Sequence, residues 1–331
     1  MYRERATEPL LAARDAGRAR GDGYTSGFGR WDRLAGVRNR PQRSFAEPGP
    51  LCFPPELYPV ATHPLVTAGG PERVEWLLLR RLHDYLDFTT QLEALAVIPV
   101  VTAISGGRSG LDLPEGMRAD AFKIMTDEAW HAQTSYDFAQ AVARATGVPA
   151  ERPDGGGPPA FTRRLDAVRD RLPAGLRGVE ALVFAIVSET LISGILAQIP
   201  RDERLPGSLR EHVRDHAEDE GRHHVYFRAV LRHLWAALTP AERGAVGPHV
   251  PAAIHAFLAP DLARAAGDLR TLGLPEPVVE QVVAESWPEE RVVREMAGAA
   301  RSLVRYFAEA GALDDPATRD SFETAGLLSL D

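Results

Sequence analysis

From residue 71 onward, apolar positions recur three and four residues apart, the spacing of amphipathic helices, and proline and glycine mark where each run stops. The pattern predicts a first long helix over about 71–104, bent at its far end by Pro99. After the break Gly106-Gly107-Arg108-Ser109-Gly110 comes a second helix, about 114–146, and then a loop, 147–159, containing Gly155-Gly156-Gly157. A short helix around 161–171 leads to a third long one, about 176–198; Pro200 and Pro206 bracket the turn into a fourth, about 208–238. Further helical segments are expected over 241–266, broken by Pro248 and Pro251, over 276–311, broken near Trp287-Pro288, and over 316–327. No stretch alternates long enough to predict a strand. The fold class is therefore all-α, with a four-helix core and additional peripheral helices.

The first 50 residues are rich in Arg, Gly and Pro and carry little periodicity. Residues 1–30 are expected to form a mobile arm, and residues 31–331 a single domain anchored at its start by Trp31, Phe45 and Phe53. The prolines of Leu51–Val60 argue against helix there and predict an extended segment wrapped over the domain.

Composition changes this picture little but excludes much. A net charge of −8, with Lys123 the only lysine, gives no basic surface for nucleic acid. Cys52 is the only cysteine, so an intrachain disulfide is excluded and a reducing, cytoplasmic setting is expected. The first residues lack an apolar core of the signal-peptide kind. The most apolar run, 181–199, carries Glu189, so no membrane span is expected.

The chemistry lies in the acids and histidines of the four long helices. His216, Glu220 and His223 share one face of the fourth helix, because residues three and four apart are neighbours there. Glu128 and His131 repeat the Glu-x-x-His spacing on the second helix. Glu93 and Glu189 each interrupt a strongly apolar run, where a carboxylate is costly to bury unless it is paired or holds a metal. The order Glu, Glu-x-x-His, Glu, Glu-x-x-His is how helix bundles present the ligands of a dinuclear carboxylate site. Mixed carboxylate and imidazole donors favour iron or manganese. Asp127 and Asp219, each preceding a motif glutamate, are expected to support the histidine of the opposite motif, Asp127 with His223 and Asp219 with His131. A symmetric site needs two histidines, so on spacing alone His216 is either a third ligand or a neighbour.

These pieces, with Phe53-Pro-Pro-Glu-Leu-Tyr-Pro-Val-Ala-Thr-His-Pro-Leu-Val66 ahead of the first long helix and the His216-x3-Glu220-x2-His223 form, resemble the para-aminobenzoate N-oxygenase (AurF-like) family of di-iron arylamine oxygenases. The likeness spans about residues 30–310. It implies a ferritin-like bundle, often a homodimer, with Glu93, Glu128, His131, Glu189, His216, Glu220 and His223 all binding two iron ions. It implies that O2 is the co-substrate, that an external donor supplies electrons, and that a primary amine is oxidised to hydroxylamine, nitroso or nitro in a small-molecule biosynthetic pathway. Substrate-pocket residues transfer less well: Tyr85, Phe88, Thr89, Leu92 and Val97 near Glu93, and Gly194 and Gln198 beyond Glu189, are the expected ones. Two other outcomes fit the same ligands, a C–H hydroxylase and a ferritin-like metal-binding protein without turnover.

Overall fold

Proline at the first position of a helix costs nothing, because that N–H has no intrahelical partner anyway. The segment before the bundle uses this repeatedly. The computed structural model describes residues 9–12, 24–46, 49, 51–150 and 158–328, apart from the side chains of 193 and 195. Two one-turn helices, α1 (Trp31–Leu34) and α2 (Gly36–Asn39), lead into a 3-10 turn at Pro55–Leu57 and two further one-turn helices, α3 (Pro59–Thr62) and α4 (Pro64–Thr67). The last three each begin with proline, and the His63 ring accepts the Leu65 N–H at the start of α4. The expectation of an extended 51–60 segment is thus corrected: its prolines start short helical turns rather than forbidding them.

Helix α5 spans Pro71–Ser105. Just upstream of Pro99 it carries a π turn over Glu93–Val97. Pro99 has no N–H to give, and the ladder adjusts one step earlier, with Ile98 N–H donating to the Glu93 carbonyl in an i to i−5 bond. The first metal-ligand candidate therefore sits at the only π turn among the described residues.

Helices α6 (Glu115–Thr146), α7 (Ala160–Arg171), α8 (Val179–Leu196) and α9 (Gly207–Ala237) follow. Gly147, at φ 73°, ends α6 in the left-handed conformation that suits glycine. α5 packs on α6 and α8 on α9, and the two hairpins meet where α6 touches α9 and the π turn touches α8. α8 is the central element. Every described side chain over 182–192 is buried, so it is apolar all round, as an enclosed helix must be. Each buried Leu, Ile, Val or Phe there stabilises the fold by roughly 1.5–3 kcal/mol, which is what carries Glu189 into the interior.

Helices α10 (Pro240–Val246), α11 (Val250–Leu258), α12 (Leu262–Thr271), α13 (Glu276–Ser286), α14 (Glu289–Glu309) and α15 (Pro316–Thr324) wrap this core. α12 was not expected as a separate element; Asp261, after Pro260, caps its start by accepting the Arg264 N–H. The fold is all-α, a ferritin-like bundle, and one contiguous core runs from Leu11 to Leu327. Among the described residues one helix, α5, is long and apolar enough to cross a bilayer by length and composition, and half of its apolar window is buried inside the bundle. Among the described residues of 1–30, Leu11 and Phe28 are buried, the latter against α9, and Leu10 N–H donates to the Arg108 carbonyl, while 9, 12, 25–27, 29 and 30 are exposed.

Candidate metal centre

Seven side chains converge between the two hairpins. Glu93 comes from the π turn of α5, Glu128 and His131 from α6, Glu189 from α8, and His216, Glu220 and His223 from α9. All are buried, the four glutamates completely. His131, His216 and Glu220 form one group, and Glu128, Glu189, Glu220 and His223 another; within each, the ligand atoms lie within 4.8 Å of one another. Glu220 belongs to both. Its Oε1 is 3.0 Å from His216 Nε2, 3.4 Å from His131 Nδ1 and 3.5 Å from His223 Nδ1. Glu128 spans the same gap, with Oε2 at 3.0 Å from His131 Nδ1 and Oε1 at 2.8 Å from His223 Nδ1. Glu189 Oε2 is 3.5 Å from His223 Nδ1, and Glu93 Oε1 is 3.9 Å from His216 Nε2.

Both oxygens of Glu93 and both of Glu189 are buried without a hydrogen-bond partner, as are Glu128 Oε1, Glu220 Oε2 and His223 Nδ1. Orphaned buried acceptors on this scale are rare in native proteins and call for a ligand. Four hard carboxylates and three imidazoles are the donor set of a divalent transition metal. The cluster fits a metal site.

The protonation of the metal-free cluster follows the same geometry. Burial, the largest influence, pushes Glu93 and Glu189 well above the ordinary carboxylate range, and repulsion from the neighbouring glutamates adds to it. Burial also opposes charge on Glu128 and Glu220, but there it loses: His223 and His131 against both, and His216 against Glu220, hold them below that range. His131 and His223 are correspondingly raised well above an ordinary imidazole despite burial, by Asp219 and Glu128 on the first and by Glu128 and Glu220 on the second. Burial and the charge on His131 lower His216. Without metal, the interior thus neutralises itself as two protonated acids and two carboxylate–imidazolium pairs.

Each histidine of the repeated motif turns Nδ1 inward and Nε2 to an aspartate of the other helix. His223 Nε2 lies 3.2 Å from Asp127 Oδ2, and His131 Nε2 lies 3.2 Å from Asp219 Oδ2. Both aspartates are buried. They are held in turn by a stretch that carries no metal-ligand residue type facing the cluster. Trp31 Nε1 donates to both oxygens of Asp127 at 2.9 Å, and the Gly36 N–H donates to Asp219 at 3.0 and 3.2 Å. Phe28 stacks on the His223 ring with centroids 6.1 Å apart. Trp31 is legible in the sequence only as an isolated aromatic in a polar stretch; Gly36 gives no signal at all. A Cβ on Gly36 would stand 2.8 Å from Asp219 Oδ2. Gly36→Ala is therefore expected to displace Asp219, free His131 to turn, and lower metal affinity about ten- to hundredfold. Metal retained after dialysis against a graded chelator series checks this, with the metal-free melting temperature as the folding control.

The other flagged histidines do other work. His212 is buried and stacks on Phe138 at 4.6 Å, and burial, with His216 and His131 nearby, pushes it down to about 3. His224 turns away, its two nitrogens 3.2 Å from the Thr190 carbonyl and 3.1 Å from the Tyr306 hydroxyl.

Of the residues expected to form a substrate pocket, Tyr85, Phe88 and Gln198 line a cavity of about 390 Å3 beside α5. Thr89, Leu92 and Val97 are buried and do not line it, and Gly194 faces solvent. Val97 closes the π turn, so its direction cannot be counted from Glu93 with a 3.6-residue period.

Comparison with known proteins agrees with this centre. The family model described as P-aminobenzoate N-oxygenase AurF matches residues 39–311, a span holding all seven converging side chains but not Trp31 or Gly36. A 4-aminobenzoate N-oxygenase of Streptomyces thioluteus is 28% identical over 296 residues, covering 86% of this chain and 85% of the relative. With the match running through all four bundle helices and every residue of the buried cluster, the chain belongs to the p-aminobenzoate N-oxygenase AurF family.

Proposed function

We propose that the protein is an O2-dependent N-oxygenase of a primary aryl amine, working at two iron ions held by Glu93, Glu128, His131, Glu189, His216, Glu220 and His223. The observation that carries the reading is the pair of overlapping ligand groups joined through Glu220, inside a chain of this family. His131, His216 and Glu220 would hold one ion and Glu128, Glu189, Glu220 and His223 the other, with Glu93 beside His216. Four carboxylates match two divalent cations in charge, which lets the pair sit in an apolar interior.

The bound irons supply the reduction of O2; the chain supplies the surroundings. Asp127 and Asp219 hold each imidazole in the tautomer that leaves Nδ1 free to coordinate. The enclosed α8 keeps bulk water from the cluster. In the first oxidation one oxygen atom of O2 enters an N–H bond to give the hydroxylamine. The other leaves as water, with two electrons from an external donor and two protons. Further rounds carry the nitrogen to nitroso and nitro.

The test is metal content per chain, followed by mass analysis of arylamines incubated with the reduced protein and O2. Two irons per chain and products gaining oxygen at nitrogen support the proposal; iron with no oxygenated amine from any substrate overturns it. His216→Ala bears on the inequality of the two ions. The variant is expected to keep most of its metal and to change its visible spectrum, since His131 and Glu220 remain on that side. A spectrum identical to wild type would remove His216 from the ligand set.

A further inference from the structure

We propose that Arg81 anchors an anionic group at the far end of an elongated aryl amine seated in the cavity beside α5. The proposal takes the aryl amine from the N-oxygenase reading; the anchor rests on the cavity itself. With a volume of about 390 Å3, the cavity falls in the size range of small-molecule sites. Its walls are largely apolar, with the rings of Phe53, Phe88, Phe161 and Trp287 among them.

Most charges on those walls are already engaged. Arg264 is held by Asp84 at 3.1 Å and Asp87 at 2.8 Å. Arg164 donates to the Ala259 and Pro260 carbonyls at 3.1 and 3.2 Å. Glu295 accepts from Arg291 at 2.7 Å. Arg81 differs. Its guanidinium lies over two rings, 5.3 Å from the Phe53 centroid and 5.9 Å from that of Tyr58. No carboxylate or carbonyl among the described residues takes its N–H groups. A guanidinium stacked on aromatic faces is fixed in plane and keeps its edge free for a planar anion.

Tyr85, one turn along α5 from Arg81 toward Glu93, lines the same cavity. Arg81 precedes Glu93 by twelve residues of one helix, about 18 Å of axis. Side chains on a helix lean toward its N-terminus, which carries the guanidinium further from the centre. A ligand reaching both ends is therefore longer than a single ring with amine and acid on opposite edges. Its acid is set off from the ring by a linker.

The experiment is equilibrium dialysis of metal-loaded protein with 4-aminohippurate, its methyl ester, and 4-aminobenzoate. Wild type is expected to prefer the hippurate acid over its ester about ten- to hundredfold, the worth of one charge-assisted bidentate pair. It is expected to bind 4-aminobenzoate more weakly than the hippurate. Arg81→Met should bind acid and ester alike, and Arg81→Lys should recover part of the preference, which shows that charge rather than folding is at stake. Equal affinity for acid and ester in wild type, an undiminished preference in Arg81→Met, or no saturable binding of the hippurate overturns the anchor. Tighter binding of 4-aminobenzoate than of the hippurate overturns the elongated ligand. Because dialysis needs no turnover, Arg81-dependent binding without any oxygenated product sinks the N-oxygenase reading and leaves the anchor standing.

Discussion

Glu220→Ala is expected to empty the centre. One oxygen of this side chain faces all three histidines, at 3.0, 3.4 and 3.5 Å, and no other residue belongs to both ligand groups. Metal content should fall from about two ions per chain toward none, because neither half keeps a complete set of donors. Amine oxidation should fall at least about a thousandfold, roughly 4 kcal/mol of barrier. The metal-free protein should suffer as well. His131 and His223 are held charged partly by this carboxylate, and removing one partner of a buried pair costs about 3–5 kcal/mol. Glu128→Ala should behave alike, since Glu128 faces the same two imidazoles from the other side. Elemental analysis, product mass and the melting temperature of the metal-free variants read these three effects separately. A variant that keeps both metals would show that Glu220 is not shared.

Metal uptake is expected to release about four protons per chain. Glu93 and Glu189 are held protonated by burial and mutual repulsion, and His131 and His223 are held protonated by the carboxylates around them. All four must deprotonate to coordinate. The sign follows: the metal-bound state holds fewer protons, so affinity rises with pH and weakens as pH falls. For the pair of ions together the fall approaches about 10^4-fold per pH unit wherever all four groups are protonated in the metal-free state. Calorimetric titration in two buffers of different ionisation heat counts the protons directly. Uptake without proton release would mean that the cluster is already ionised when empty, contrary to its burial.

The donors of this centre are legible in the sequence because they violate its pattern. Glu93 and Glu189 stand in runs where nothing polar belongs, and two copies of Glu-x-x-His stand on helices that supply the matching face. The aspartate partners are legible for a related reason, since each precedes a motif glutamate and points to the opposite helix. What is not legible depends on chain segments meeting at a distance. Trp31 and Asp127 are 96 residues apart, and Gly36 and Asp219 are 183 apart; neither Trp31 nor Gly36 lies in a periodic run that would assign it a face. The π turn is half legible. Pro99 signals a disturbed ladder, but the disturbance relaxes upstream, at the residue whose direction matters most.

The support of the two motif histidines has a consequence of its own. Asp127 and Asp219 lie on different helices, yet each accepts a hydrogen bond from one short stretch, Trp31 to Gly36, with Arg222 a further donor to Asp219. The two imidazoles therefore share one point of failure. A disturbance that peels this stretch from the bundle slackens both at once, and a repair that restores only one donor leaves the other ring loose. In hydrogen exchange, Gly36 N–H becomes a reporter for the whole centre: its opening free energy marks how often the two halves are unlatched together.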